Sequence, residues 1–164
     1  MYKVLVPVED DFYGHLLADY IVKHKWADGT VFKVLHVFPV PPTAEIPPSY
    51  REFREIHQEA TWKLLENIAG KIRNGVANAT AEESVLEGYA REGIIEVARQ
   101  WGAELIVMGS HGRAGVDFEQ FPIGGVAAAV TRSAPCSVLI VRAQPGSEKK
   151  SVMAVQHVSG RHKH

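Results

Sequence analysis

An α/β fold, with a mostly parallel sheet and helices on both faces, is predicted by three features of the sequence. Apolar runs rich in β-branched residues occupy positions 3–8, 31–38, 104–108 and 137–142, with a weaker run at 80–87. Segments of helical periodicity separate them, as right-handed crossovers between parallel strands require. The length, 164 residues, suits one domain able to bury its own core.

Each element has its own warrant. Lys3-Val4-Leu5-Val6-Pro7-Val8 is apolar without alternation, which marks a strand covered on both faces. After Glu9-Asp10-Asp11 a helix is expected, with Leu16, Leu17, Tyr20, Ile21 and His24 on one stripe. Asp28-Gly29 punctuates it, and 31–38 reads as the second strand. Pro39, Pro41, Pro42, Pro47 and Pro48 then exclude regular helix or central strand. Ser49, with Glu52 three residues on, predicts a capping box that opens a long helix to about Arg73. Its expected apolar stripe is Phe53, Ile56, Ala60, Leu64, Ile68 and Ile72, and Asn74-Gly75 closes it. Residues 80–87 form the third strand. A helix from Glu92 to Trp101 is expected to bury Ile94, Ile95, Val97 and Ala98. Residues 104–108 form the fourth strand, 109–125 a glycine-rich loop, about 126–132 a helix of small residues, and 137–142 the fifth strand.

Composition narrows the function. Lys and Arg number 18 against 19 Asp and Glu, a formal charge of −1, without the basic excess of a dedicated nucleic-acid binder. Hydrophobic residues at 46% and charged ones at 23% exclude wholesale disorder. The single Cys136 excludes an intrachain disulfide and a Cys-rich zinc site, and fits a reducing compartment. No run approaches the ~20 apolar residues that cross a bilayer, and the opening residues are too short for a secretory signal. A cytoplasmic protein with no membrane or nucleic-acid partner is expected. Residues 143–164 differ from the rest: Lys149, Lys150, Arg161 and Lys163 oppose Glu148 alone, a net +3 that leaves −4 on residues 1–142. We read 1–142 as the α/β domain and 143–164 as a basic tail, mobile or edge-pairing through 152–158.

Two loops carry the candidate chemistry, because open α/β sheets bind ligands outside the carboxyl ends of their strands. One is Pro7-Val8-Glu9-Asp10-Asp11; the other is Gly109-Ser110-His111-Gly112-Arg113, with Gly124-Gly125 opening the last helix. Glycines let amides approach a phosphate, and a helix N-terminus adds unpaired N–H groups; Arg113 would add a guanidinium. The same glycines equally serve tight turns and close packing. Glu9-Asp10-Asp11 equally suits a solvated loop that caps the next helix. Neither Gly-x-Gly-x-x-Gly nor Gly-Lys-Ser/Thr is present. His111 has no readable Ser-His-Asp partners, and there is no Gly-x-Ser-x-Gly elbow, so no hydrolytic apparatus is legible.

Residues 105–113 (Leu-Ile-Val-Met-Gly-Ser-His-Gly-Arg), Gly124-Gly125-Val126-Ala127 and residues 133–142 (Ser-Ala-Pro-Cys-Ser-Val-Leu-Ile-Val-Arg) resemble the universal stress protein (UspA-like) family. Val4 to Glu9, Leu35-His36-Val37 and Glu87-Gly88 with Ile94 to Ala98 extend the resemblance over 2–142. It implies an open five-stranded parallel sheet of order 3-2-1-4-5, akin to adenine-nucleotide alpha-hydrolases, and homodimers paired through the last strand. Some members bind ATP through Gly-x-x-Gly, a nine-residue spacer and Gly-Ser/Thr; others bind no nucleotide. Here Gly109-x-x-Gly112 matches, the spacer 113–123 has eleven residues, and Gly125 replaces the hydroxyl residue. The insertion near Asp117 and Glu119 brings two acids that either repel phosphates or approach a bound Mg²⁺. Losing one side-chain hydrogen bond costs about 0.5–1.5 kcal/mol, roughly tenfold in affinity at most. The implied site comprises Pro7, Val8, Glu9 and Val37 at the adenosine end, where Glu9 stands for the family's usual Asp. At the phosphate end it comprises Met108, Gly109, His111, Gly112, Arg113, Gly124, Gly125 and Val126. The resemblance thus implies a stress-responsive dimeric switch binding ATP or a related adenine nucleotide, with at most slow hydrolysis and an unidentified protein partner. The alternative is a nucleotide-free interaction module.

Overall fold

The computed structural model describes residues 1–40, 47–111 and 123–143. The elements run β1 (Lys3–Pro7), α1 (Asp11–Lys23), β2 (Val31–Phe38), α2 (Pro48–Gly75), β3 (Thr80–Glu87), α3 (Ala90–Trp101), β4 (Leu105–Gly109), α4 (Gly125–Ser133) and β5 (Ser137–Val141). All strand pairs are parallel, and the sheet order is β3-β2-β1-β4-β5. That is the expected open α/β sheet, order 3-2-1-4-5. The carboxyl ends of β1 and β4 therefore lie side by side, at the point where the chain changes direction of travel across the sheet.

Alternation along the central strands divides the core in two. Val4, Val6 and Val8, with Phe32, Val34 and Val107, face α1 and α2 and meet Leu17, Ile21, Leu65, Ile68 and Ile72. Leu5, Leu35, Ile106 and Met108 face α3 and α4 and meet Ile94, Ala98, Ala127 and Val130. Because both faces are covered, the strands carry unbroken apolar runs, which is why they are legible as strands.

Two helices depart from expectation. α2 begins after Pro47, with Pro48 in its first turn and no side-chain cap, so Ser49 and Glu52 form no capping box. Proline supplies the start instead, since its fixed φ suits the first turn and its missing N–H would have been unpaired there. The expected stripe on α2 holds only toward its end, where Ile68 and Ile72 are buried and Leu64 half-buried. From Ile56 on it steps by four residues, so at 100° per residue it drifts about 40° around the helix with each step. The buried face is Leu65, Ile68, Ala69 and Ile72, whereas Phe53 and Ile56 are 44% and 66% exposed and Ala60 is exposed. In α1 the buried set is Tyr13, Gly14, Leu17, Ala18 and Ile21; Leu16 and Tyr20 are half-buried, and His24 lies past the end, stacked on Tyr20. In α3, Ile94 and Ala98 are buried as expected, but Ile95 and Val97 only half so, because Gly93 takes the face against Leu86 and Val37. Residues 152–158, the acids at 117 and 119, and Arg113 lie outside the described residues.

Candidate functional site

The two chemistry-bearing turns meet at the carboxyl ends of β1 and β4. Their crevice is open, with about 530 Å³ of unfilled space, its mouth included. Pro7, Val8, Glu9, Val37, Met108, Gly109, His111 and Val126 all line it. Gly124 and Gly125 do not. Gly112 lies outside the described residues. Tyr13, Leu35, His36, Ala90, Ile94 and Ala127 complete the wall, and none of these six belongs to the set singled out from the sequence.

On the β1 side, the chain is clamped to β2 as it leaves the sheet. The Val8 N–H donates to the Leu35 carbonyl at 2.8 Å, and the Val8 carbonyl accepts from His36 Nδ1 at 2.8 Å. Val8 is buried, and Glu9 stands exposed at the lip as the only carboxylate of the wall among the described residues. Asp10 then caps α1, its Oδ1 accepting from the Tyr13 N–H at 2.9 Å. Such a cap satisfies one of the helix's unpaired donors. It separates the roles of adjacent acids: Asp10 is structural, and Glu9 is left to the solvent and the crevice.

On the β4 side, each glycine has its own reason. A Cβ at Gly109 would stand 2.3 Å from Tyr13 Cδ1, so its bareness serves the packing of α1 on β4. A Cβ at Gly124 would meet His111 Cα and the Ser110 carbonyl, each at 3.2 Å, and the Gly124 N–H donates to that same carbonyl at 2.7 Å. The start of α4 is thus pinned to the end of β4. Gly125 meets nothing within 4 Å. It opens instead on a groove between α3 and α4, with Arg91, Ile95, Ala129 and Arg132.

His111 is 5% exposed, its Nδ1 hydrogen-bonded to Ser110 Oγ at 2.9 Å. It fills the space beside Gly124 as a packed loop residue. No three His, Cys, Asp or Glu among the described residues come together to hold a metal ion. Cys136 lies outside the crevice wall and is half-buried rather than buried; that burial pushes its thiol pKa up, the reverse of an activated nucleophile. Trp62 is 41% exposed on α2, and Trp101 lies under the ammonium groups of Lys33 and Lys3, 4.6 and 5.5 Å from its ring centre. Among the described residues, no helix is long and apolar enough to cross a membrane.

Known proteins resemble this chain in sequence and in fold. The chain is 35% identical over 85 residues to universal stress protein A homolog 2 of Coxiella burnetii, covering 51% of this chain and 53% of that one. It is 33% identical over 94 residues to a universal stress protein of Methanocaldococcus jannaschii, covering 51% and 54%. The chain thus spans about half the length of these relatives. Among solved structures, the protein MJ0577 superposes with a TM-score of 0.75 at 20% identity, covering 87% of this chain and 96% of that one. An Arabidopsis thaliana family protein with AMP bound scores 0.63 at 15% identity, over 88% and 94%. A universal stress protein in complex with cAMP scores 0.58 at 17%, over 87% and 98%. Likeness at these identities shows the fold. The sequence model of the universal stress protein family matches residues 1–142, and the chain is a member of that family.

Proposed function

We propose that the protein binds ATP or a related adenine nucleotide in the β1/β4 crevice, and serves as a dimeric, stress-responsive switch in the cytoplasm, read by a protein partner. The observation that carries this reading is the convergence of Pro7, Glu9, Val37, Met108 and Gly109, from three strands and the turn after β1, on one open hollow. The described wall suits an adenosine end. Leu35, Val37, Ile94 and Met108 offer apolar contact to a base, and the exposed Glu9 carboxylate accepts hydrogen bonds from a base amine or ribose hydroxyls. The structures of relatives with AMP and cAMP bound support the same ligand class. Mg²⁺, which usually binds through one or two carboxylates plus substrate phosphates, would arrive with ATP. On this reading hydrolysis, where it occurs, is slow.

Pairing through β5 is favoured by the chemistry of the two sheet edges. The β3 edge carries Glu82, Glu83 and Glu87, paired with Lys33, Arg73 and Arg54. Charges of this kind discourage strand addition. β5 has no charged residue, and Val138, Leu139 and Ile140 are half-buried in the single chain. A nucleotide spanning the β1 and β4 turns would bias the adjoining β4–β5 surface.

One observation favours a second reading, a nucleotide-free interaction module: Gly125 lacks the family's hydroxyl and opens away from the crevice. Titration calorimetry of ligand-stripped protein with ATP and Mg²⁺, and with AMP, separates the two. Saturable binding at one site per chain is expected. Absence of heat and of any thermal shift at millimolar nucleotide would leave the interaction module.

A further inference from the structure

We infer that His36 is a positioning residue, whose imidazole holds the Val8–Glu9 turn in the conformation that puts the acidic lip on the crevice. This rests on the reading of the crevice as a nucleotide site. β1 ends at Pro7, which has no N–H, and the next residue belongs to no strand. Val8 is nevertheless held by both of its backbone groups: the N–H by the Leu35 carbonyl and the carbonyl by the His36 ring, each at 2.8 Å. The second bond takes the place of a ladder bond. It comes from a side chain, so the chain can leave the sheet at that residue and still be fixed.

Because a carbonyl only accepts, His36 Nδ1 must carry the proton in this bond, and the neutral ring is the Nδ1–H tautomer. The ring is itself held edge-on to Phe38, with centres 4.8 Å apart and planes at 81°. It is half-buried, and it lines the crevice between Leu35 and Val37. Glu9 has no partner among the described residues that would place it independently. Its position follows from its two anchored neighbours: Asp10, fixed as the α1 cap, and Val8, whose carbonyl is held by His36.

The test compares His36→Asn with His36→Leu. The Asn amide nitrogen stands close to where Nδ1 stands, and restores an N–H donor to the Val8 carbonyl; Leu fills similar space without one. Nδ1 protonation is read in the wild type from the ring nitrogen shifts in long-range ¹H–¹⁵N spectra. Amide exchange at Val8, Glu9 and Asp10, the melting temperature and AMP affinity are read in all three proteins. We expect the Nδ1–H tautomer in the wild type. We also expect faster exchange confined to residues 8–10, and AMP binding about tenfold weaker, in His36→Leu. His36→Asn should stay within about threefold of wild type on both readouts. An Nε2–H tautomer would overturn the inference, as would equal effects of the two substitutions or a fall in affinity matched by general unfolding. If the wild type binds no AMP, the nucleotide reading falls, while the tautomer and exchange data still decide whether His36 holds the turn.

Discussion

Gly109 has the least room of the described glycines. The Tyr13 ring lies against the bare face of Gly109, where a methyl group would come within 2.3 Å. Tyr13 is 3% exposed and sits on the first turn of α1, so it has little freedom to retreat. Gly109→Ala should therefore destabilise by about 1–3 kcal/mol, the range for overpacking a filled interior, as read by urea denaturation. A loss below about 0.5 kcal/mol would mean that Tyr13 is not packed there. Gly125 is the opposite case, with nothing within 4 Å of where a Cβ would stand and a place at the start of α4. Gly125→Ser should leave stability almost unchanged. On the proposed ATP reading, the added hydroxyl should also tighten ATP binding by up to about tenfold. Unchanged affinity in the serine variant would place Gly125 outside the ligand's reach.

The long helix α2 shows where pattern reading succeeds and where it slips. Its existence and its end near residue 75 were legible in the sequence. Its buried face was legible only at Ile68 and Ile72, because a row taken every four residues spirals off any fixed direction. The structure seats Leu65, Ile68, Ala69 and Ile72 on the sheet and leaves Phe53 and Ile56 largely in solvent. Leu65→Ala should cost about 2–5 kcal/mol, as buried leucines do. Phe53→Ala should cost less than about 1 kcal/mol. Thermal or urea unfolding of the pair checks the assignment, and a reversed order would contradict it. The start of α2 was missed for a related reason: serine caps are preferred on average, but Pro47-Pro48 preset the backbone before Ser49 can act.

At the scale of the whole molecule, the strand sequence and the crevice wall were legible to different depths. The strands announce themselves because central parallel strands must be apolar on both faces. Glu9 and Gly109 were singled out because the carboxyl ends of strands are where such sheets bind ligands, whereas Val37 and Met108 came from the family resemblance. Leu35 could have been added, since it shares a face with Val37 by the two-residue repeat of a strand. Tyr13 and His36 could not. Their roles depend on how α1 crosses β4 and on a side chain reaching across to the next strand, neither of which leaves a local pattern. The uncharged β5 edge, across the sheet from the acid-bearing β3 edge, leads to a further expectation, that the protein sediments at twice its 18.1 kDa chain mass. A monomer at high micromolar concentration would contradict pairing through β5.

The most direct measurement is backbone amide mapping of ¹⁵N-labelled, ligand-stripped protein during titration with AMP. Saturable shifts should gather on Val8, Glu9, Val37, Gly109 and His111, which come from separate stretches of chain and meet only in the folded crevice. Shifts confined to the α3–α4 groove around Ile95, Gly125 and Arg132, or none at millimolar AMP, would contradict the account.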